Sequence, residues 1–267
     1  MRSAITERYP PDVIDAHAHL TDRRFAADVA EVLERARKAG VERVLTAAED
    51  VASSEEAIAL ATRHRDVRVA VGVHPHRAAS WNVDALSRLT ELARDRRVVA
   101  IGEIGMDLSG RSAPPQVQEA AFRGQLALAS LLDLPVVIHV RDAGERVRAI
   151  LREGAPIRGM IHCYSEGPDE LPAWFDLGLH ISFAGTLTYP GTDALKDAAA
   201  RVAGDRLLAE TDAPDLAPQN ARGRRNEPLY VAATHAALAH VRGADIGDVA
   251  GQIARNAQNL FGERWGT

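Results

Sequence analysis

Cysteine is almost missing from this 267-residue chain: Cys163 stands alone, which excludes an internal disulfide. Long apolar runs are missing as well. None approaches membrane-spanning length, and the N-terminal MRSAITERYPPD lacks the apolar stretch of a secretory signal. No GxGxxG follows the first apolar run and no GxxxxGK[ST] occurs, so nucleotide binding through a glycine-rich phosphate loop has no support. An excess of positive charge is lacking too. With a net charge of −5 the chain has no global attraction for nucleic acid or membrane, so a polyanionic substrate would need local positive charge or metal ions. These absences lead us to expect a soluble, cytoplasmic protein with no membrane association.

What the chain does have is alternation. Short runs of Val, Ile, Leu and Ala occupy 13–20, 43–48, 67–74, 97–104, 135–140, 158–164, 179–184 and 206–212, with helix-like segments between them. DVAEVLERARKAG, for example, has apolar residues at helical spacing, Lys38 in its last turn and a stop at Gly40. PDELPAWFDLG reads as a short helix containing a proline, and EPLYVAATHAALAHVRG and IGDVAGQIARNAQNLFG as two C-terminal helices. Strand then helix, repeated, means parallel pairing with right-handed crossovers. The 46% of hydrophobic residues suffices for a large core, and we expect one domain over 1–267, with 1–11 as an N-terminal extension. A doubly wound open sheet fits the same alternation. Eight strand candidates, with functional-looking residues ending strands one, four, five, six and eight, favour closure into a TIM (β/α)8 barrel.

Those residues are His17 and His19 in VIDAHAHL, Glu103 in VVAIGEIG, His139 in PVVIHV, His162 in GMIHCYS and Asp212 in LLAETDAP. Strand ends converge on one face of such a barrel, so six residues of metal-binding type would meet there. His17 and His19 are two apart on a strand and leave the same face, so both can grip one ion. Asp15 shares that face one layer down, where it can orient a ligand. Glu103 lies between glycines that let backbone and ions approach closely, and its carboxylate can bridge two cations. Asp212 can bind an ion and also accept a proton from an attacking water. A lone histidine at a strand end is more often a hydrogen-bonded core residue; the cluster makes that reading improbable for His139 and His162.

HAHL, VGVHPH, GEIGMD, PVVIHVRDA, IHCYS, ETDAP, RNEP and RNAQNLFG, in this order and spacing, resemble the TatD family of metal-dependent hydrolases within the amidohydrolase superfamily. The resemblance covers nearly the whole chain. It implies a TIM barrel with one or two divalent ions and a metal-dependent deoxyribonuclease or phosphodiesterase activity on nucleic acid, DNA foremost. It further implies that His17, His19 and Asp212 hold one ion, His139 and His162 the other, and that Glu103 lies between them. Many amidohydrolases bridge two metals with a carbamylated lysine, but only Lys38 and Lys196 are present, both in helical segments, which leaves Glu103 as the bridging group. Two positions depart from the family's habit: Leu108 stands where an aromatic residue is common, and Val140 where a small polar one is.

The donor set has no thiolate, so Zn, Mn, Ni and Mg all suit it. His74, at the end of strand three, is expected to touch the substrate or support the centre, and Arg141, sharing a face with His139, to reach a phosphate. In ARGRRNEP, Arg222, Arg224 and Arg225 fall beside the site, and Arg224 and Arg225 are taken as substrate contacts. Glu210 is expected to support the centre, Cys163 to face the helices as a small inert hydrophobe, and His64, His180, His235 and His240 to play ordinary solvated or core roles. Catalysis would rest on Asp212 and Glu103 acting on an activated water in a monomeric enzyme. Hydrolysis of an ester or amide, for example on an aminoacyl-tRNA, is the second reading of the same site. A non-catalytic metal-stabilised scaffold is the third.

Overall fold

The computed structural model of the protein describes residues 13–110 and 113–266, so the 1–11 extension lies outside the described residues. Eight parallel strands follow one another around a barrel: β1 (Val13–Ala18), β2 (Val41–Ala47), β3 (Val67–Val71), β4 (Val98–Asp107), β5 (Val136–Arg141), β6 (Gly159–Ile161), β7 (His180–Phe183) and β8 (Leu207–Ala209). Each pairs with the next in sequence. Closure is made just past the last strand, where Ala18 bridges Ala213 and the Asp212 N–H donates to the His17 carbonyl at 3.0 Å. The expected TIM barrel is therefore the observed fold. Its strands are near-continuous apolar runs because both faces are covered.

The helices on the outside are α1 (Val29–Ala39), α2 (Val51–Arg63), α3 (Val83–Leu92), α4 (Pro115–Leu132), α5 (Gly144–Glu153), α6 (Leu171–Phe175), α7 (Asp193–Arg201), α8 (Val231–Arg242), α9 (Ile246–Phe261) and α10 (Glu263–Gly266). Gly40 ends α1 as the sequence predicts, in the left-handed region at φ 96°. PDELPAWFDLG is broken in two: a 3-10 turn over Pro168–Glu170 precedes the single turn of α6. Most strands stop short of the apolar runs, so His19, His74, His162, Glu210 and Asp212 all sit on loops just beyond their strands.

Two features set the site's floor. In β4 the register against β5 shifts between Ile101 and Ile104, the interval that carries Glu103; an irregularity of this kind re-aims a side chain. The glycines flanking Glu103 let the neighbouring strand approach closely, as expected of them for backbone: a Cβ on Gly102 would lie 2.6 Å from Val137 Cβ, and one on Gly105 (φ 139°) only 2.1 Å from the His139 carbonyl oxygen. From outside, α4 presents two buried glutamines seven residues apart on one face. The Gln125 amide accepts from Val73 N (2.6 Å) and donates to Val73 O (3.0 Å), while Gln118 accepts from Asp107 N (2.8 Å) and donates to Asp107 O (2.9 Å). One helix thus pins the exits of two strands.

Candidate metal centre

All six sequence-predicted ligands meet at the mouth of the barrel, and Glu103 divides them. Its Oε2 lies 3.3 Å from both His17 Nε2 and His19 Nε2, whose ring nitrogens stand 3.6 and 3.5 Å from Asp212 Oδ1. Its Oε1 lies 2.7 Å from His139 Nδ1 and 2.8 Å from His162 Nε2. One carboxylate oxygen therefore faces each set. Glu103 is 1% exposed, yet its Oε2 has no hydrogen-bond partner, a costly state for a buried anion. A shell of imidazole nitrogens and carboxylate oxygens around such an atom fits a divalent cation, and His17, His19 and Asp212 by themselves bring three ligand atoms within 4.8 Å of one another.

The supporting contacts explain why these side chains are held. His19 Nδ1 is 3.2 Å from the Ala47 carbonyl, and His162 Nδ1 is 3.2 Å from Glu210 Oε1, which fixes each ring with Nε2 toward the centre. Glu210 thus supports the centre as expected. Asp15 does so through backbone: it accepts from Thr211 N (2.8 Å), Thr211 Oγ1 (2.6 Å) and His17 N (3.3 Å), tying β1 to the segment that carries Asp212. Asp212 itself adopts a left-handed conformation at φ 57°, tolerated by aspartate and consistent with a functional turn. Buried Asn226, from the RNEP segment, holds that turn by donating to Thr211 O (2.8 Å) and Asp215 O (2.6 Å).

Charge follows from these contacts. Burial opposes ionisation of Glu103, but His162, His74 and His17 and the His139 hydrogen bond hold its pKa well below the ordinary range. Burial likewise disfavours the Asp212 carboxylate, but the hydrogen bond from His19 and the nearby His162, His17 and His19 rings together hold its pKa below the ordinary value. His74 is pushed down to about 4 by burial and is neutral at pH 7. Its Nδ1 accepts the His76 N–H at 3.1 Å, so the ring proton sits on Nε2, 3.2 Å from Glu103 Oε1. That tautomer makes His74 a donor into the site and removes it from the ligand set, although its position beside Glu103 and His139 would otherwise admit it.

Sequence reasoning missed Asp107 and His76. Asp107 is 2% exposed at the end of β4, accepts from Ser109 N (2.9 Å), lies 2.8 Å from His76 Nε2, and stands 3.5 Å from the otherwise unpartnered His139 Nε2. Continuing the strand alternation from Glu103 by two steps on one face would have reached it. Cys163 is a correction. It does not face the helices: it takes φ 45° immediately after His162, which breaks the alternation, and its thiol, pushed up by burial, feels Asp212, Glu210 and Glu103. Leu108 and Val140 are half-buried and pack on the core.

The arginines divide. Arg225 is committed elsewhere, which corrects its assignment as a substrate contact: it pairs with Asp28 (2.7 Å) and Glu227 (2.9 Å) and stacks over Phe25 at 4.7 Å. Arg222 lies over the Tyr189 ring at 4.6 Å. Arg141 and Arg224 are exposed, and no carboxylate among the described residues pairs with either.

Comparison with known proteins gives a consistent result. The family described as TatD related DNase matches residues 14–262. A protein named 3'-5' ssDNA/RNA exonuclease TatD, from Pantoea ananatis (strain LMG 20103), is 38% identical over 258 residues, covering 94% of this chain and 99% of the relative. The uncharacterized metal-dependent hydrolase YabD of Bacillus subtilis (strain 168) is 34% identical over 251 residues, covering 93% and 98%. Among solved structures, the TatD homolog YJJV from Escherichia coli K12 superposes with a TM-score of 0.88 at 31% identity, over 94% of this chain and 98% of that one.

Proposed function

The chain belongs to the family of TatD-related DNases, and from that premise we propose that it is a divalent-metal-dependent nuclease that hydrolyses the phosphodiester bonds of single-stranded nucleic acid, DNA foremost. The observation that carries this reading is the shared carboxylate of Glu103, one oxygen toward each of two nitrogen and oxygen donor sets, with unpaired arginines at the same mouth. Bound divalent ions would acidify a water and offset the negative charge that develops on a phosphoryl group. His17, His19 and Asp212 would hold one of them, His139 and His162 the other, with Glu103 between.

The remaining steps belong to side chains. Asp212, ionised at neutral pH and open on one side, orients the attacking water and takes its proton. The water oxygen bonds to phosphorus, the bond from phosphorus to the leaving 3′ oxygen breaks, and that oxygen takes up a proton. The Nε2–H of His74 donates to a phosphoryl oxygen or to Glu103, and Asp107 steadies the His139 ring. Arg141 and Arg224 hold phosphates flanking the scissile bond, which reads charge and leaves base sequence unread. Every donor comes from one chain, so a monomer suffices. A cytoplasmic location agrees with the single cysteine and with the absence, among the described residues, of a helix long and apolar enough to cross a membrane.

The test is a substrate panel of single-stranded DNA, duplex DNA, RNA and an aminoacyl ester, run on chelator-stripped protein reloaded with Zn, Mn, Ni or Mg in turn. We expect metal-dependent cleavage of single strands. Turnover confined to the ester would replace the nuclease reading with acyl hydrolysis.

A further inference from the structure

Beside the metal centre, over the ends of β1, β2 and β3, the mouth deepens into a cavity of about 520 Å³ with His19 as one wall. That volume suits a small-molecule site and has room for one nucleoside. Its rim carries four carboxylates, Asp22, Glu49, Asp50 and Glu56, against two cations, Arg23 and Arg77. Two of the acids are occupied: Asp22 pairs with Arg24 at 2.9 Å, and Asp50 caps α2 through Ser53 N at 2.9 Å. The other two are available. Glu49 is about half exposed with only a 3.9 Å approach to Arg77, and exposed Glu56 has no ion-pair partner among the described residues. Across the mouth, past β5 and β8, stand Arg141, Arg222 and Arg224. The two sides of the site therefore carry opposite charge.

We propose that this cavity receives the 3′-terminal nucleoside of a single strand whose last phosphodiester lies at the metal centre, and that Glu49 and Glu56 select a free 3′-hydroxyl over a 3′-phosphate. The proposal rests on the nuclease reading. A strand running on through the cavity would press phosphates against unpaired carboxylates, and like charges so placed repel. A terminal nucleoside brings only a neutral base and sugar, whose hydroxyl donates to a carboxylate. Natural strands carry phosphate at the 5′ end and hydroxyl at the 3′ end, so an acidic receptacle matches the latter. Each cut joins the water oxygen to phosphorus, breaks the bond to the penultimate 3′ oxygen, and protonates that oxygen. The released nucleotide keeps its 5′-phosphate, and the new end is again a 3′-hydroxyl, the end the cavity accepts.

The experiment uses metal-loaded full-length protein and two oligonucleotides of one sequence, ending in 3′-hydroxyl or 3′-phosphate, with release of the terminal nucleotide as the readout. Wild type should favour the hydroxyl end at least about tenfold. Glu49→Gln with Glu56→Gln should shrink that gap to about threefold or less, chiefly by speeding the phosphate end. Glu56→Lys alone should move the ratio the same way, which guards against a folding defect in the double variant. A wild type indifferent to the two ends, or variants that keep its ratio, would overturn the cavity assignment while the nuclease reading stands. Failure of wild type to degrade either strand would overturn both.

Discussion

Asp212 shows what a single residue contributes and what a strand-based reading cannot foresee. The ETDAP segment marks it as an acid beyond an apolar run, but strand alternation says nothing of a left-handed backbone at φ 57° that places it beside His17 and His19. Its proposed work is proton acceptance. In Asp212→Asn the amide keeps shape and one oxygen donor, so fold and much of the metal should persist while hydrolysis falls by roughly 10²- to 10⁴-fold, the usual loss with a general base. Metal analysis together with single-turnover rates checks this; near-normal turnover in a metal-replete variant would assign the proton to another group. The six residues of the candidate centre were legible because each lies at or just beyond the end of an apolar run. Asp107 was not, because the fourth run was ended at 104 where β4 continues to Asp107.

At the scale of elements, α4 is the informative case. Its apolar periodicity announces a helix, yet two polar residues, Gln118 and Gln125, occupy the buried face. Periodicity treats them as interruptions, and only the barrel supplies their partners, the backbone groups of Asp107 and Val73. Replacing Gln125 with Leu keeps the volume but strands a buried N–H and C=O, so stability should fall by about 2 kcal/mol or more. The Val73 backbone also leads into His74, so kcat/KM should drop further than the lost folded fraction explains. Denaturant unfolding with an unchanged slope and a lower midpoint, beside the kinetics, tests both parts. Loop side chains that close ion pairs, such as Arg225 with Asp28 and Glu227, were equally hidden, because nothing in ARGRRNEP tells a committed arginine from a free one.

For the whole molecule, buried histidines outside the centre set the acid limit. His235 is fully buried, donates from Nε2 to the Ile14 carbonyl at 3.1 Å, and burial lowers its pKa to about 4. Burial also takes His180, at the base of β7, to about 4. Between pH 6.5 and 4 the unfolded chain binds protons that the native rings refuse, so stability rises with pH through that window and is lost as pH falls through it. For His235 the loss from pH 7 to pH 5 is about 2 kcal/mol. His235→Gln, which can still donate to Ile14, should remove that share of the difference between unfolding free energies at the two pH values, measured on metal-stripped protein; an unchanged difference would place the acid sensitivity elsewhere.

Closure of the barrel runs through Ala18 and Ala213, and the donor set that includes His17 and His19 is completed by Asp212. During synthesis the two histidines leave the ribosome first, and nearly two hundred residues follow before Asp212 appears. A nascent or truncated chain that stops short of β8 carries the glutamate and all the histidines of the centre but not the group proposed to accept the proton. On that proposal hydrolytic competence arrives with the last stave of the barrel, and a chain that ends before it is inactive.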